Sequence, residues 1–164
     1  MVEALLSDRK IITCGNGIDG ALAQLFTCIL LDRFEVDRPA LPALTLGADN
    51  ASLSAIIHSS GINDIFSRQL QALGQPGDVL LCFSSQLGAD NLLQAVQTAQ
   101  EREIGTILIS RSLDENFHSA LRSEDVHLQV DATRQARAVE LYTMIIHSFC
   151  ELIDQSLFGS YIQD

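Results

Sequence analysis

The sequence contains no tryptophan, only three prolines, and little positive charge: 10 Lys and Arg stand against 21 Asp and Glu, a formal net charge of −11 over 164 residues. The shortage of cations excludes direct binding to a nucleic-acid backbone, which needs clustered Lys and Arg to displace counterions. It argues equally against an anionic membrane surface. No apolar run approaches the ~18 residues that a membrane-spanning helix requires. The N-terminal Met1-Val2-Glu3-Ala4-Leu5-Leu6 lacks the basic segment and cleavage site of a secretory signal, so a cytoplasmic location is expected. Cys14, Cys28, Cys82 and Cys150 are scattered without a CxxC spacing, each in an apolar stretch. That pattern predicts buried free thiols in a reducing compartment rather than disulfides or zinc. His58, His118, His127 and His147 have no carboxylate or thiol at metal-ligand spacing, and neither a metal nor a cofactor is expected.

Hydrophobic residues make up 47% of the chain, ample for one core and too much for intrinsic disorder. The dominant pattern is strand, glycine-containing turn, helix, repeated. Strands are expected at Lys10–Cys14, Ala43–Leu46, Val79–Phe83, Thr106–Ser110 and Val126–Val130. Helices are expected from Asp19 to about Arg33, Asn50–His58, Asn63–Leu73, Gly88 to about Glu103, and Gln135 to Phe158. Strands alternating with helices, too far apart for hairpins, predict right-handed parallel crossovers. The expected fold is a single-domain α/β/α sandwich around a parallel sheet of about five strands. On the last helix, Leu141, Met144, Ile145, Ile146, Phe149, Leu152, Ile153 and Leu157 spread over most of the circumference. A helix apolar nearly all round must be covered on several sides, which predicts a subunit interface.

Ligands of parallel α/β sheets sit beyond the carboxyl ends of the strands. Two loops there are candidates: Gly15-Asn16-Gly17-Ile18-Asp19 after the first strand, and Ser84-Ser85-Gln86 after the third. Glycine backbone amides and serine hydroxyls ahead of a helix can hold an anion. The same residues are also ordinary in βα turns and helix caps. Ser84 and Ser85 lack any motif for an activated nucleophile.

Taken in order, Cys14-Gly15-Asn16-Gly17, Arg33-Phe34-Glu35-Val36-Asp37-Arg38-Pro39, Asp64-Ile65-Phe66-Ser67-Arg68, Gly77-Asp78-Val79-Leu80-Leu81 and Ser84-Ser85 resemble the sugar isomerase (SIS) domain family. The resemblance covers essentially the whole chain. It is closest to the branch that holds phosphoheptose isomerases and the replication-initiator-associating protein DiaA, and the segment Cys150–Phe158 looks more like the DiaA side. The resemblance implies a flavodoxin-like SIS fold. Relatives carry an additional N-terminal helical segment that helps build a tetramer. This chain begins close to its first strand, and a shortened N-terminus is therefore expected.

In phosphoheptose isomerases the resemblance implies a His and, four residues later, a basic Glu on the first helix, with a Gln and a His three residues apart on the last. Here those positions hold Leu25, Ile29, Val139 and Tyr142. Aliphatic side chains can neither take a proton nor bind zinc. Glu140 is adjacent, but a one-residue shift turns it about 100° around the helix. In the family's phosphate loop, a glycine corresponds to Leu87 and a closing serine to Ala89, and a serine of the first loop corresponds to Asp19. A carboxylate at a helix N-terminus is a natural cap, and it repels phosphate. The expectation is therefore a non-catalytic protein with a residual sugar-phosphate pocket at Gly15, Asn16, Gly17, Asp19, Ser84, Ser85 and Gln86. By resemblance to DiaA it would bind the initiator DnaA, as a dimer or tetramer, through Leu157 and Phe158, with Gly159 ending the helix. The alternative is a phosphoheptose isomerase, or another protein acting on or binding a sugar or sugar phosphate.

Overall fold

The computed structural model describes residues 1–86, 88–111 and 115–159. The chain forms α1 (Val2–Leu6), β1 (Ile11–Gly15), α2 (Ile18–Leu31), β2 (Ala43–Thr45), α3 (Asn50–Ser59), a 3-10 turn (Ile62–Asp64), α4 (Ser67–Leu73), β3 (Val79–Ser84), α5 (Asp90–Glu101), β4 (Gly105–Ser110), α6 (Glu115–Ala120), β5 (Val126–Gln129) and α7 (Gln135–Phe158). The five strands make one sheet in the order β2-β1-β3-β4-β5, and every pairing is parallel. This is the doubly wound, flavodoxin-like order. Its strand order reverses between β1 and β3, which opens a crevice at their carboxyl ends.

Alternation along the central strands builds two cores. Ile11, Leu81, Phe83 and Ile109 face α2 and α7, with Phe26, Leu30, Tyr142 and Ile146. Ile12, Cys14, Leu80, Cys82 and Leu108 face the other layer, with Leu70, Leu92, Val96 and Ile104. β1 is buried at every residue, whereas the edge strands β2 and β5 are short and only partly covered. This follows the pattern of uninterrupted apolar central strands in a sheet packed on both faces. Three threonines lock α2 onto the sheet. Thr13, Thr27 and Thr45 hydroxyls lie 2.8–2.9 Å apart, and Thr13 donates to the Ala23 carbonyl at 3.2 Å.

The structure departs from the sequence reading in several places. The helix expected over Asn63–Leu73 is broken: Ile65 and Phe66 turn into the core between the 3-10 turn and α4. The Gln69 side chain holds that break, accepting from the Gly47 N–H at 3.0 Å and donating to the Ile65 carbonyl at 2.6 Å. Helix α1 and helix α6 lie outside the elements expected from the sequence. Cys28, expected to be buried, is exposed, because it follows Thr27 around α2 and leaves the face that meets the sheet. Cys14, Cys82 and Cys150 are buried free thiols. Among the described residues no group of three metal-capable side chains converges, and no helix is long and apolar enough to cross a membrane.

Candidate functional site

The reversal of strand order brings the β1–α2 and β3–α5 loops side by side, and an internal carboxylate joins them. Asp19, one residue into α2 and buried, directs Oδ2 at Ser85, which donates its backbone N–H at 2.8 Å and its hydroxyl at 2.9 Å. The Ser85 hydroxyl in turn accepts from Gln135 Nε2 at 2.9 Å, which ties the start of α7 into the same cluster. The neighbouring Ser84 carbonyl accepts from the Tyr142 hydroxyl at 3.0 Å and from the Arg111 N–H at 3.2 Å. Burial pushes the Asp19 carboxyl above its ordinary value, against the opposing pull of the two Ser85 donors. Its second oxygen, Oδ1, is buried and has no hydrogen-bond partner. Tyr142 is also raised, first by burial and then by the charge of Asp19. Its phenol stays protonated at neutral pH and acts as a donor, not a base.

A second tie closes the other side of the crevice. Asn16 and Asn91 exchange amide hydrogen bonds, Asn16 Nδ2 donating at 2.9 Å and Asn91 Nδ2 at 2.8 Å. Asn91 Oδ1 also accepts the Leu92 N–H at 2.9 Å, within the first turn of α5. The backbone makes both ties possible. A Cβ on Gly15 would meet Asp19 backbone atoms at 2.5 Å, and Gly17 turns into α2 at φ +57°.

The residues expected to share one pocket are therefore divided. Gly15, Asn16 and Gly17 line a cavity of about 300 Å³ over the carboxyl ends of β1 and β2. Asp19, Ser84 and Ser85 lie buried together beside it and do not line it. Gln86 is exposed, and its carbonyl accepts from the Ser84 hydroxyl at 3.1 Å. Leu87, which stands for the family's loop glycine, lies outside the described residues. Leu25, Ile29 and Val139 are half-buried against the core of α2 and α7, with Tyr142 inside it. Glu140 points to solvent and pairs with Arg137 at 2.6 Å. Sequence reading missed Asn91, Gln135 and Arg111. Their partners lie tens of residues away, and no local pattern marks them.

At the opposite end of α7, Leu157 and Phe158 are half-buried against the same core, and Gly159 ends the helix at φ +80°. A buried ion pair anchors this region. The Arg38 guanidinium lies 2.7 Å from Asp154 and caps α2 by donating to the Ile29 and Leu30 carbonyls at 2.9 and 3.1 Å. Cations are favoured at that end of the helix dipole.

The SIS domain family matches residues 1–110 of the chain. The phosphoheptose isomerase of Chromohalobacter salexigens is 42% identical over 160 residues, covering 98% of this chain and 81% of that protein. The DnaA initiator-associating protein DiaA of Photorhabdus laumondii is 37% identical over 158 residues, 96% of this chain and 81% of that one. The solved structure of a phosphoheptose isomerase from Francisella tularensis superposes with a TM-score of 0.90 at 35% identity, over 94% of this chain and 81% of that one. With these matches and the parallel five-stranded sheet, the chain belongs to the SIS domain family.

Proposed function

We propose that the chain is a non-catalytic SIS-domain protein that acts as a cytoplasmic, homo-oligomeric protein-binding adaptor. The single observation that carries this reading is the Asp19–Ser85 contact. The backbone N–H and hydroxyl that could receive a phosphate at the switch point are spent on an internal carboxylate. Support comes from the facing sides of α2 and α7, where Leu25, Ile29 and Val139 supply no group able to move a proton between carbons. The similarity to DiaA suggests DnaA as the partner, met through Leu157 and Phe158. An acidic chain suits a protein partner better than DNA.

The second reading is a phosphoheptose isomerase or another sugar-phosphate isomerase. The names of the relatives favour it over the adaptor, since the Chromohalobacter and Francisella proteins both carry that name. One experiment separates the two: sedoheptulose 7-phosphate is followed by NMR with the purified chain, alongside a pull-down with the cognate initiator's N-terminal region. The adaptor reading expects no turnover above buffer and retention of the initiator. Turnover abolished by Ser85→Ala would establish the isomerase instead, and failure to retain the initiator removes the adaptor's main support.

A further inference from the structure

A groove of about 140 Å³ lies at the end of α7, between its last turns and the Phe34-Glu35-Val36 segment that follows α2. Three carboxylates line it, Glu35, Glu151 and Asp154, and no cationic side chain does. Arg38 answers Asp154 at 2.7 Å, yet Asp154 Oδ2 is enclosed without a hydrogen-bond partner, and Glu35 and Glu151 are exposed. The last turn of the 24-residue α7 holds no basic residue, so the negative end of its dipole adds to the carboxylates. Phe34 and Val36 supply an apolar wall, and Phe34 is backed by the His147 ring at 5.8 Å between centres. The wall is held in an uncommon shape. Glu35 sits at φ +52°, where non-glycine residues are rare, and the Val36 N–H closes a tight turn on the Phe34 carbonyl. Such a conformation persists where its surroundings over-determine it. The buried Arg38 does so, tied to α7 through Asp154 and to α2 through the Ile29 and Leu30 carbonyls.

Size and charge define the occupant. About 140 Å³ is below the range of small-molecule sites and suits one long side chain. The carboxylates require that side chain to be cationic. Carboxylates beside an aromatic wall favour a guanidinium, whose planar fork pairs with carboxylates and stacks on a ring. The chain itself is a poor source. Ser160-Tyr161-Ile162-Gln163-Asp164, which continues from Gly159 at the groove's edge, has no cation and adds a carboxylate, and a second copy brings a net charge of −11. We infer that the groove docks an arginine side chain from a basic, extended segment of a partner protein. The inference deepens the proposed function: it rests on the chain being a protein-binding adaptor and names what the partner presents at this end of α7.

The test titrates the full, isotope-labelled chain with the peptide acetyl-Gly-Leu-Arg-Leu-Gly-amide, followed by NMR. Backbone signals of Glu35, Val36, Glu151 and Gln155 should move together and saturate at roughly millimolar peptide or below. A peptide with Gln in place of Arg should bind at least about tenfold more weakly. So should the Arg peptide to the double variant Glu35→Gln, Glu151→Gln, whose exposed positions tolerate the change with the circular dichroism spectrum kept. Salt at about 1 M should weaken the contact. Equal binding of the Arg and Gln peptides overturns the inference, as does saturation at other signals or at none. Free arginine bound as tightly as the peptide overturns it in favour of a small cationic ligand. Groove signals that shift on dilution without peptide overturn it in favour of a second copy, and peptide binding gained only on removal of residues 160–164 in favour of the chain's own tail. Undiminished retention of the initiator by the double variant sinks the groove and leaves the adaptor standing, whereas an initiator that the wild type never retains removes the adaptor by a separate readout.

Discussion

Asp78 and Asp19 show how differently two buried carboxylates are held at the two ends of the sheet. Asp78, fully buried at its side chain, accepts from the Lys10 N–H at 3.0 Å, Lys10 Nζ at 2.6 Å and the Gln75 N–H at 2.8 Å, which fastens the starts of β1 and β3. Asp19 has donors on only one oxygen, and burial raises its pKa. A carboxyl raised in the folded state holds its proton more tightly there than in the unfolded chain. Its contribution to stability is full below the ordinary carboxylate range and is lost as pH rises through the folded value. Urea unfolding of the wild type should therefore show a stability component that falls as pH rises from the ordinary carboxylate range upward. Asp19→Asn keeps an acceptor for Ser85 and should remove that component, so the variant gains relative to wild type towards neutral pH. A difference independent of pH would show that Asp19 does not titrate with folding.

Helix α7 carries the strongest element-level signal, and its observed limits, Gln135–Phe158, are those its periodicity predicts. The apolar positions resolve into unequal faces. Ala138, Tyr142, Ile146, Cys150 and Ile153 are buried, recurring at intervals of three or four, and burial pushes the Cys150 thiol up to about 12. Ile145 and Phe149 are half-buried against the same core, with Phe149 edge-on to Phe26 at 6.4 Å between ring centres. Met144 and Leu152 remain more than half exposed. Ile146→Ala should therefore cost about 2–5 kcal/mol in chemical denaturation, through lost burial and a residual cavity. Met144→Ala should stay within about 0.5 kcal/mol for the isolated subunit. Equal effects at the two positions would mean that this face is covered in the folded protein. The break in the helix expected over Asn63–Leu73 was not legible, because the contact between Gln69 and the Gly47 N–H that accompanies it is made across 22 residues of sequence.

At the scale of the whole molecule, Met144 and Leu152 lie eight residues apart along the open side of α7, and the expectation of a homo-oligomer rests on that side. Light scattering at micromolar concentration should give a dimer or tetramer with twofold axes. Met144→Asp together with Leu152→Asp should reduce the mass to that of one chain while the far-ultraviolet spectrum is kept. These positions are better probes than Ile145 and Phe149, where a carboxylate would enter the subunit's own core. A wild type that scatters as a monomer would remove the interface.

The order of elements, the parallel sheet and the two loops at the switch point were legible in the sequence, because period-two and period-3.6 patterns and glycine turns are local signals. Asp19 could be recognised as a carboxylate at a helix start, and Leu25, Ile29 and Val139 as aliphatic residues on the first and last helices. What only the tertiary structure decided is how the loops divide the crevice. The contact from Asp19 to Ser85 spans 66 residues and the Asn16–Asn91 pair spans 75, so each exists only once the sheet has brought two strand ends together. Sequence separation of that size leaves no periodic trace. Hydrogen-bond partners across a crossover are chosen by strand order and packing, and those are properties of the assembled sheet.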